Sequence, residues 1–186
     1  MGYSLAWVAV RGVTREAALE ALGMEASGKG GRIRQSLGEL PGGWLLYLDE
    51  NPDRGFGKPL ERLVTLGAPT VACRQEDHVM RSEARGYEGG REIWRIVCDS
   101  SEDERLAVSG KPPAPFEELR AQAQAEQAAE DEDEDEYPVD FIYEVPLNLG
   151  MAIFGDNPLG WRIMPFMAGV LAGLSFMRAL WFASCS

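Results

Sequence analysis

The carboxylates Asp131, Glu132, Asp133, Glu134, Asp135 and Glu136, which follow Glu130 in an unbroken run of seven acids, constrain this chain more than any other feature. Hydration and mutual repulsion keep such a run out of a packed core, so folding must happen on either side of it. The surrounding charge follows the same division. Residues 1–112 carry fifteen basic and seventeen acidic side chains, whereas residues 113–144 set Arg120 alone against twelve acids. Residues 145–186 are nearly neutral, with Arg162 and Arg178 against Asp156. The expected organisation is a core domain over 1–110, a proline-led helix and acidic linker over 111–138, a strand and short helix returning to the core over 139–155, and an apolar tail over 156–186. A net charge of −12 argues against a nucleic-acid binder that works through phosphate contacts.

Within the first part, residues 3–10 (YSLAWVAV) are apolar and rich in β-formers, which predicts a buried strand rather than a signal peptide. Thr14 can cap a helix that carries Ala18, Leu19 and Leu22 on one face and stops at Gly23. Strands are expected over 32–39 and 44–49, joined by Pro41-Gly42-Gly43. A turn over 51–57 leads into a helix with Leu60, Leu63, Val64 and Leu66 inward, and residues 70–75 give another strand. The order is βαββαβ, so the expectation is an α+β fold with a mainly antiparallel sheet and a ferredoxin-like core. Residues 78–84 and 91–98 extend it as a hairpin, and 105–109 can add a further strand. Beyond Lys111-Pro112-Pro113-Ala114-Pro115, a helix opens at Phe116 with only Phe116, Leu119 and Ala123 as an apolar stripe. Val139, Phe141, Tyr143 and Val145 alternate, which predicts a strand, and Pro146 starts a short helix that ends near Gly155.

The tail admits two structured readings, with a poorly structured appendage as the third. Residues 163–177 hold fifteen residues without a charge, flanked by Trp161 and Trp181 twenty residues apart. At about 1.5 Å per residue that spacing is roughly the thickness of a bilayer's hydrocarbon. Gly169 and Gly173 stand at the spacing that lets two helices approach closely in lipid. Residues 161–183 can therefore anchor the chain in a membrane, or form a helix buried on the domain or between two copies of a homodimer.

Candidate chemistry is sparse. Three cysteines, an odd number, fit a reducing compartment, and cytoplasmic location is expected unless the tail tethers the chain to a membrane. Cys73 or Cys98 as nucleophile, His78 as base and Asp99 as orienter would make a hydrolase, but no motif of that chemistry surrounds either thiol. Both lie in apolar runs, where cysteine commonly acts as a small hydrophobe. His78 is the only histidine, too few for a catalytic metal site, and no cofactor or metal is expected. Gly28-Lys29-Gly30-Gly31-Arg32 lacks the spacing of a phosphate-binding loop and reads as a connector. Arg81, Arg85, Arg91 and Arg95 flank Tyr87 in an arginine-rich hairpin that can receive the acidic segment of this chain or of a neighbour. The leading expectation is a non-enzymatic interaction protein, an adaptor or an immunity or antitoxin-like neutraliser, whose residues 131–136 face a basic protein partner. The alternatives are a membrane-tethered accessory protein and, more remotely, the cysteine hydrolase.

Overall fold

The computed structural model describes residues 4–25, 34–102, 105–130 and 140–153. The chain is an α+β protein built on one antiparallel sheet. Its strands are β1 (Ser4–Arg11), β2 (Gln35–Leu40), β3 (Trp44–Asp49), β4 (Thr70–Glu76), β5 (Arg81–Glu88), β6 (Arg91–Asp99) and β7 (Leu106–Gly110). They pair in the order β2-β3-β1-β4-β5-β6-β7, with every pairing antiparallel. The first four strands enclose α1 (Arg15–Leu22), α2 (Pro52–Gly55) and α3 (Lys58–Val64), and the chain continues into α4 (Pro115–Glu130) and α5 (Val145–Ile153). The β5–β6 hairpin extends the four-strand unit, and β7 forms the outer edge.

Local chemistry explains the short helices. Thr14 Oγ1 accepts the Ala17 amide at 3.2 Å, and Gly23 closes α1 in the left-handed region at φ 66°. The segment expected as a turn over 51–57 contains the single helical turn α2. Asn51 Oδ1 caps it by accepting the Arg54 amide at 2.8 Å, and Pro52 takes the first helical position, where no amide is needed. Gly55 is required there, because a Cβ would lie 2.6 Å from that of Ala6 and the turn could not seat on β1.

Alternation along the strands separates two cores. Val8, Val10, Leu45, Tyr47 and Ala72 face α1 and α3, meeting Ala18, Leu22, Leu60 and Leu63. Leu5, Trp7, Ala9, Cys73, Ala84, Trp94 and Ile96 face the other way, toward Phe116 and Ala123 of α4 and Val145 and Leu149 of α5. Leu66, expected inward, lies beyond the end of α3 and is 36% exposed.

Residues 140–145 correct the sequence reading, and Val139 lies outside the described residues. Instead of a strand, Ile142–Glu144 form a 3-10 turn that leads directly into α5. Asp140 Oδ1 accepts the Tyr143 amide at 3.1 Å and starts the turn, and Pro146 near the start of α5 presets helical φ. The same apolar residues also satisfy helical spacing, since Val145 and Leu149 are four apart and both are buried. Gly150 then brings α5 against the sheet, where a Cβ would come within 2.5 Å of the Trp7 ring and 2.6 Å of Cys73 Sγ.

Candidate functional site

The densest cluster of charge lies on β4, β5 and β6, on the face that carries α1 and α3 further along. Glu83 has no exposed surface. Its Oε2 accepts from Arg74 Nε at 2.9 Å, with Arg74 Nη2 at 2.8 Å, and its Oε1 accepts from Arg85 Nε at 2.7 Å. Arg95 Nε lies 2.6 Å from the same Oε1. Register produces this convergence. Arg74 is directly opposite Glu83, Arg85 is two residues along the strand, and Arg95 is opposite Arg85. Two arginines facing each other repel unless a carboxylate stands between them, and Glu83 takes that position. Phe56, just past α2, lies under two guanidinium groups, 5.3 Å from Arg74 and 5.1 Å from Arg85. Burial alone would raise the Glu83 pKa, but the Arg85 hydrogen bond and the charges of Arg85, Arg74 and Arg95 outweigh it and leave the carboxyl below its ordinary range.

A second buried carboxylate organises the end of β3. Asp49 accepts from Arg54 through Nε at 2.8 Å and Nη2 at 2.7 Å, from Tyr47 Oη at 2.7 Å, from Gln35 Nε2 at 3.0 Å and from the Asn51 amide at 2.9 Å. Burial opposes ionisation here too, yet these donors bring the Asp49 pKa down to about 2. Arg34, Glu50, Asn51 and Arg54 line a shallow depression of about 220 Å³ beside it. Gly28, Lys29, Gly30, Gly31 and Arg32 lie outside the described residues.

The arginine-rich hairpin is only partly assembled as expected. Arg81, Arg85 and Tyr87 share one face of β5, but Arg91 pairs with Glu88 and falls on the opposite face from Tyr87, which pairs with Glu92. The guanidinium groups are also engaged within the chain. Arg85 binds Glu83 and lies 3.9 Å from Glu92, and Arg81 lies 3.9 Å from Asp99. Arg81 and Arg85 therefore already face carboxylates of the same chain.

The cysteine and histidine candidates do not meet. Cys73 and Cys98 are buried beneath α5 and the turn before it, and Cys73 Sγ donates to the Pro146 carbonyl at 3.6 Å. Burial raises both thiol pKa values, that of Cys98 to about 12, the reverse of an activated thiolate. His78 lies in the 3-10 turn Asp77–Val79, with Nδ1 3.3 Å from Ser4 Oγ, and Asp99 accepts from Ser101 Oγ at 2.6 Å. Among the described residues no group of three His, Cys, Asp or Glu side chains could hold a metal.

Residues 131–136 lie outside the described residues, but the structure shows how their flanks are held. Gln127 Oε1 on α4 accepts the Phe141 amide at 2.9 Å, so the last turns of α4 are tied to the turn before α5. Asp140 accepts from Ser100 Oγ at 2.7 Å, and Ser82 Oγ donates to the Tyr143 carbonyl at 2.6 Å. Glu126, Asp140 and Glu144 gather at that base. Burial, and then the charges of Glu126 and Asp140, raise the Glu144 pKa. Trp161, Gly169, Gly173 and Trp181 also lie outside the described residues, and no described helix is long and apolar enough to cross a membrane. No protein-family model matches the sequence, and neither a curated protein nor a solved structure does.

Sequence reasoning missed Glu83 and Arg74 as a pair. The spacing Arg81-x-Glu83-x-Arg85 does place three charges on one face of a strand, but Arg74 joins them only through register.

Proposed function

We propose that this chain is a non-enzymatic interaction protein, of the adaptor or immunity type, that presents residues 131–136 to a basic protein partner. One observation carries the reading. Helix α4 has no basic residue in its last turn and runs towards six consecutive carboxylates. A helix C-terminus is the negative end of its dipole, so acids there cost stability where lysine or arginine would add it. Glu126, Asp140 and Glu144 add to the same field, and each held flank keeps the segment attached to the body. A cationic partner offsets that repulsion, so the arrangement favours binding over folding.

The test uses the full chain as bait beside a variant with Asp131, Asp133 and Asp135 changed to Asn and Glu132, Glu134 and Glu136 changed to Gln. The expected result is a basic protein retained at low salt by the native chain, released at high salt, and not retained by the variant. Equal recovery by both would refute the reading.

The fifteen uncharged residues over 163–177, framed by Trp161 and Trp181, support a second reading, membrane tethering. Alkaline carbonate fractionation of the full chain beside a truncation after Asp156 separates the two. Membrane retention of the full chain alone supports the tether, and release of both excludes it.

A further inference from the structure

The outer edge of β7 has the properties of a strand-addition site. Its pairing with β6 fixes which backbone groups have no strand partner among the described residues. The Arg105 carbonyl accepts from the Asp99 amide at 2.9 Å, and the Lys111 amide donates to the Ile93 carbonyl at 3.1 Å. Odd-numbered residues therefore turn their hydrogen-bonding groups toward β6, and Leu106, Val108 and Gly110 turn theirs outward. Ala107, Val108, Ser109 and Gly110 are all exposed, Val108 by 41%.

Proteins usually protect such an edge with charge, proline or a bulge. The sequence LAVSG contains neither charge nor proline, and the register irregularity of the sheet falls at Gly86/Tyr87 in β5 instead. At the opposite edge, β2 carries Glu39, which is 3.9 Å from Arg15.

The flanks indicate what fits. Arg105, half exposed and 4.0 Å from Asp140, and Lys111 bracket the uncharged stretch, and neither is buried. A second copy paired over the whole strand would centre on Val108 and set Arg105 opposite Lys111 of its neighbour, an unfavourable like-charge pair. A strand with an uncharged centre and acidic ends meets both cations favourably. We propose that β7 receives an extended segment of a partner protein, uncharged across about five residues and acidic at both ends, as an eighth antiparallel strand.

The probe is a synthetic peptide of alternating Val and Thr with Glu at each end, titrated into the full chain and followed by amide exchange. The amides of Leu106, Val108 and Gly110 should be unprotected in the free protein and slow by about tenfold or more with peptide, whereas those of Ala107 and Ser109 stay unchanged. Val108→Pro removes an outward donor and no β6 hydrogen bond, so it should abolish binding and leave the thermal midpoint unchanged. Val108→Lys, which keeps the amide but adds an edge charge, should weaken binding about tenfold. The same peptide with Lys ends should bind about tenfold more weakly than the Glu-ended one. Three results would overturn the proposal: no protection at millimolar peptide, equal binding of the Glu-ended and Lys-ended peptides, or outward amides already protected in a free protein that sediments as a dimer.

Discussion

One face of the sheet closes itself in two ways. Over β3, β1 and β4 it is apolar and lies under α1 and α3, with Val8, Val10 and Leu63 fully buried. Over β4, β5 and β6 the same face presents Arg74, Glu83, Arg85 and Arg95, and α2 reaches it at Arg74, whose Nη1 lies 3.5 Å from Asp53. Glu83 is nevertheless as buried as Leu63. Its cover is the arginine stems and Phe56, since long cationic side chains can lay their methylenes over a surface while the heads remain wet. The difference shows that the side chains of a sheet face can bury a carboxylate with only one short helical turn beside it, provided the carboxylate is shared among the cations. The apolar half gains stability from removing hydrocarbon from water, at about 25 cal/mol per Å². The charged half gains little net stability, because desolvation offsets attraction, but it fails badly if one partner is lost.

The largest effect should come from breaking the charged half. Glu83→Ala leaves three guanidinium groups clustered without their carboxylate and should cost about 3–5 kcal/mol in urea unfolding at pH 7. A loss below about 1 kcal/mol would mean that solvent already screens the cluster.

Leu63→Ala breaks the apolar half. It should cost about 2–4 kcal/mol, with the same loss at low and high salt. The comparison fails if Leu63→Ala proves the more salt-sensitive of the two.

A smaller effect comes from pH. The folded pKa values of Asp49 and Glu83 lie below their ordinary values, so their contribution is fully present above about pH 4 and is lost as pH falls through the folded values, near 2 for Asp49. Arg54 is partly exposed, so the Asp49 share is discounted to about 1–2 kcal/mol. In Asp49→Asn the acid limb of the stability curve should flatten by that amount. An unchanged acid limb would show that Asp49 gains nothing from its donors.

The smallest perturbation concerns the thiols on the opposite face. With the Cys98 pKa near 12 and the Cys73 thiol buried, labelling of either at pH 8 should wait for unfolding. Labelling within seconds on the native chain would show that α5 opens locally.

Much of this architecture was legible because its signals are local. The apolar run of β1, the Thr14 cap, the Pro41-Gly42-Gly43 turn and the buried pair Leu60 and Leu63 each depend on residues within a few positions. The α+β class follows from their order. Residues 139–145 misled because Phe141, Tyr143 and Val145 fit a period of two while Val145 and Leu149 fit a helix. Asp140 and Pro146 decided between them, and Gly150 let the result seat on Trp7. The arginine-rich hairpin was visible as composition, but its neutralisation was not.

The sequence by itself determined the division of charge, the αβ order, the acidic segment and the uncharged character of LAVSG. Only the tertiary structure decided that Glu83 gathers Arg74, Arg85 and Arg95, that Asp49 holds α2, and that β7 is an outer edge. The reason is physical. Propensity, capping and turn chemistry act over a few residues, whereas a salt-bridge cluster or a sheet edge is created by strand register and order, which join positions that no local pattern relates.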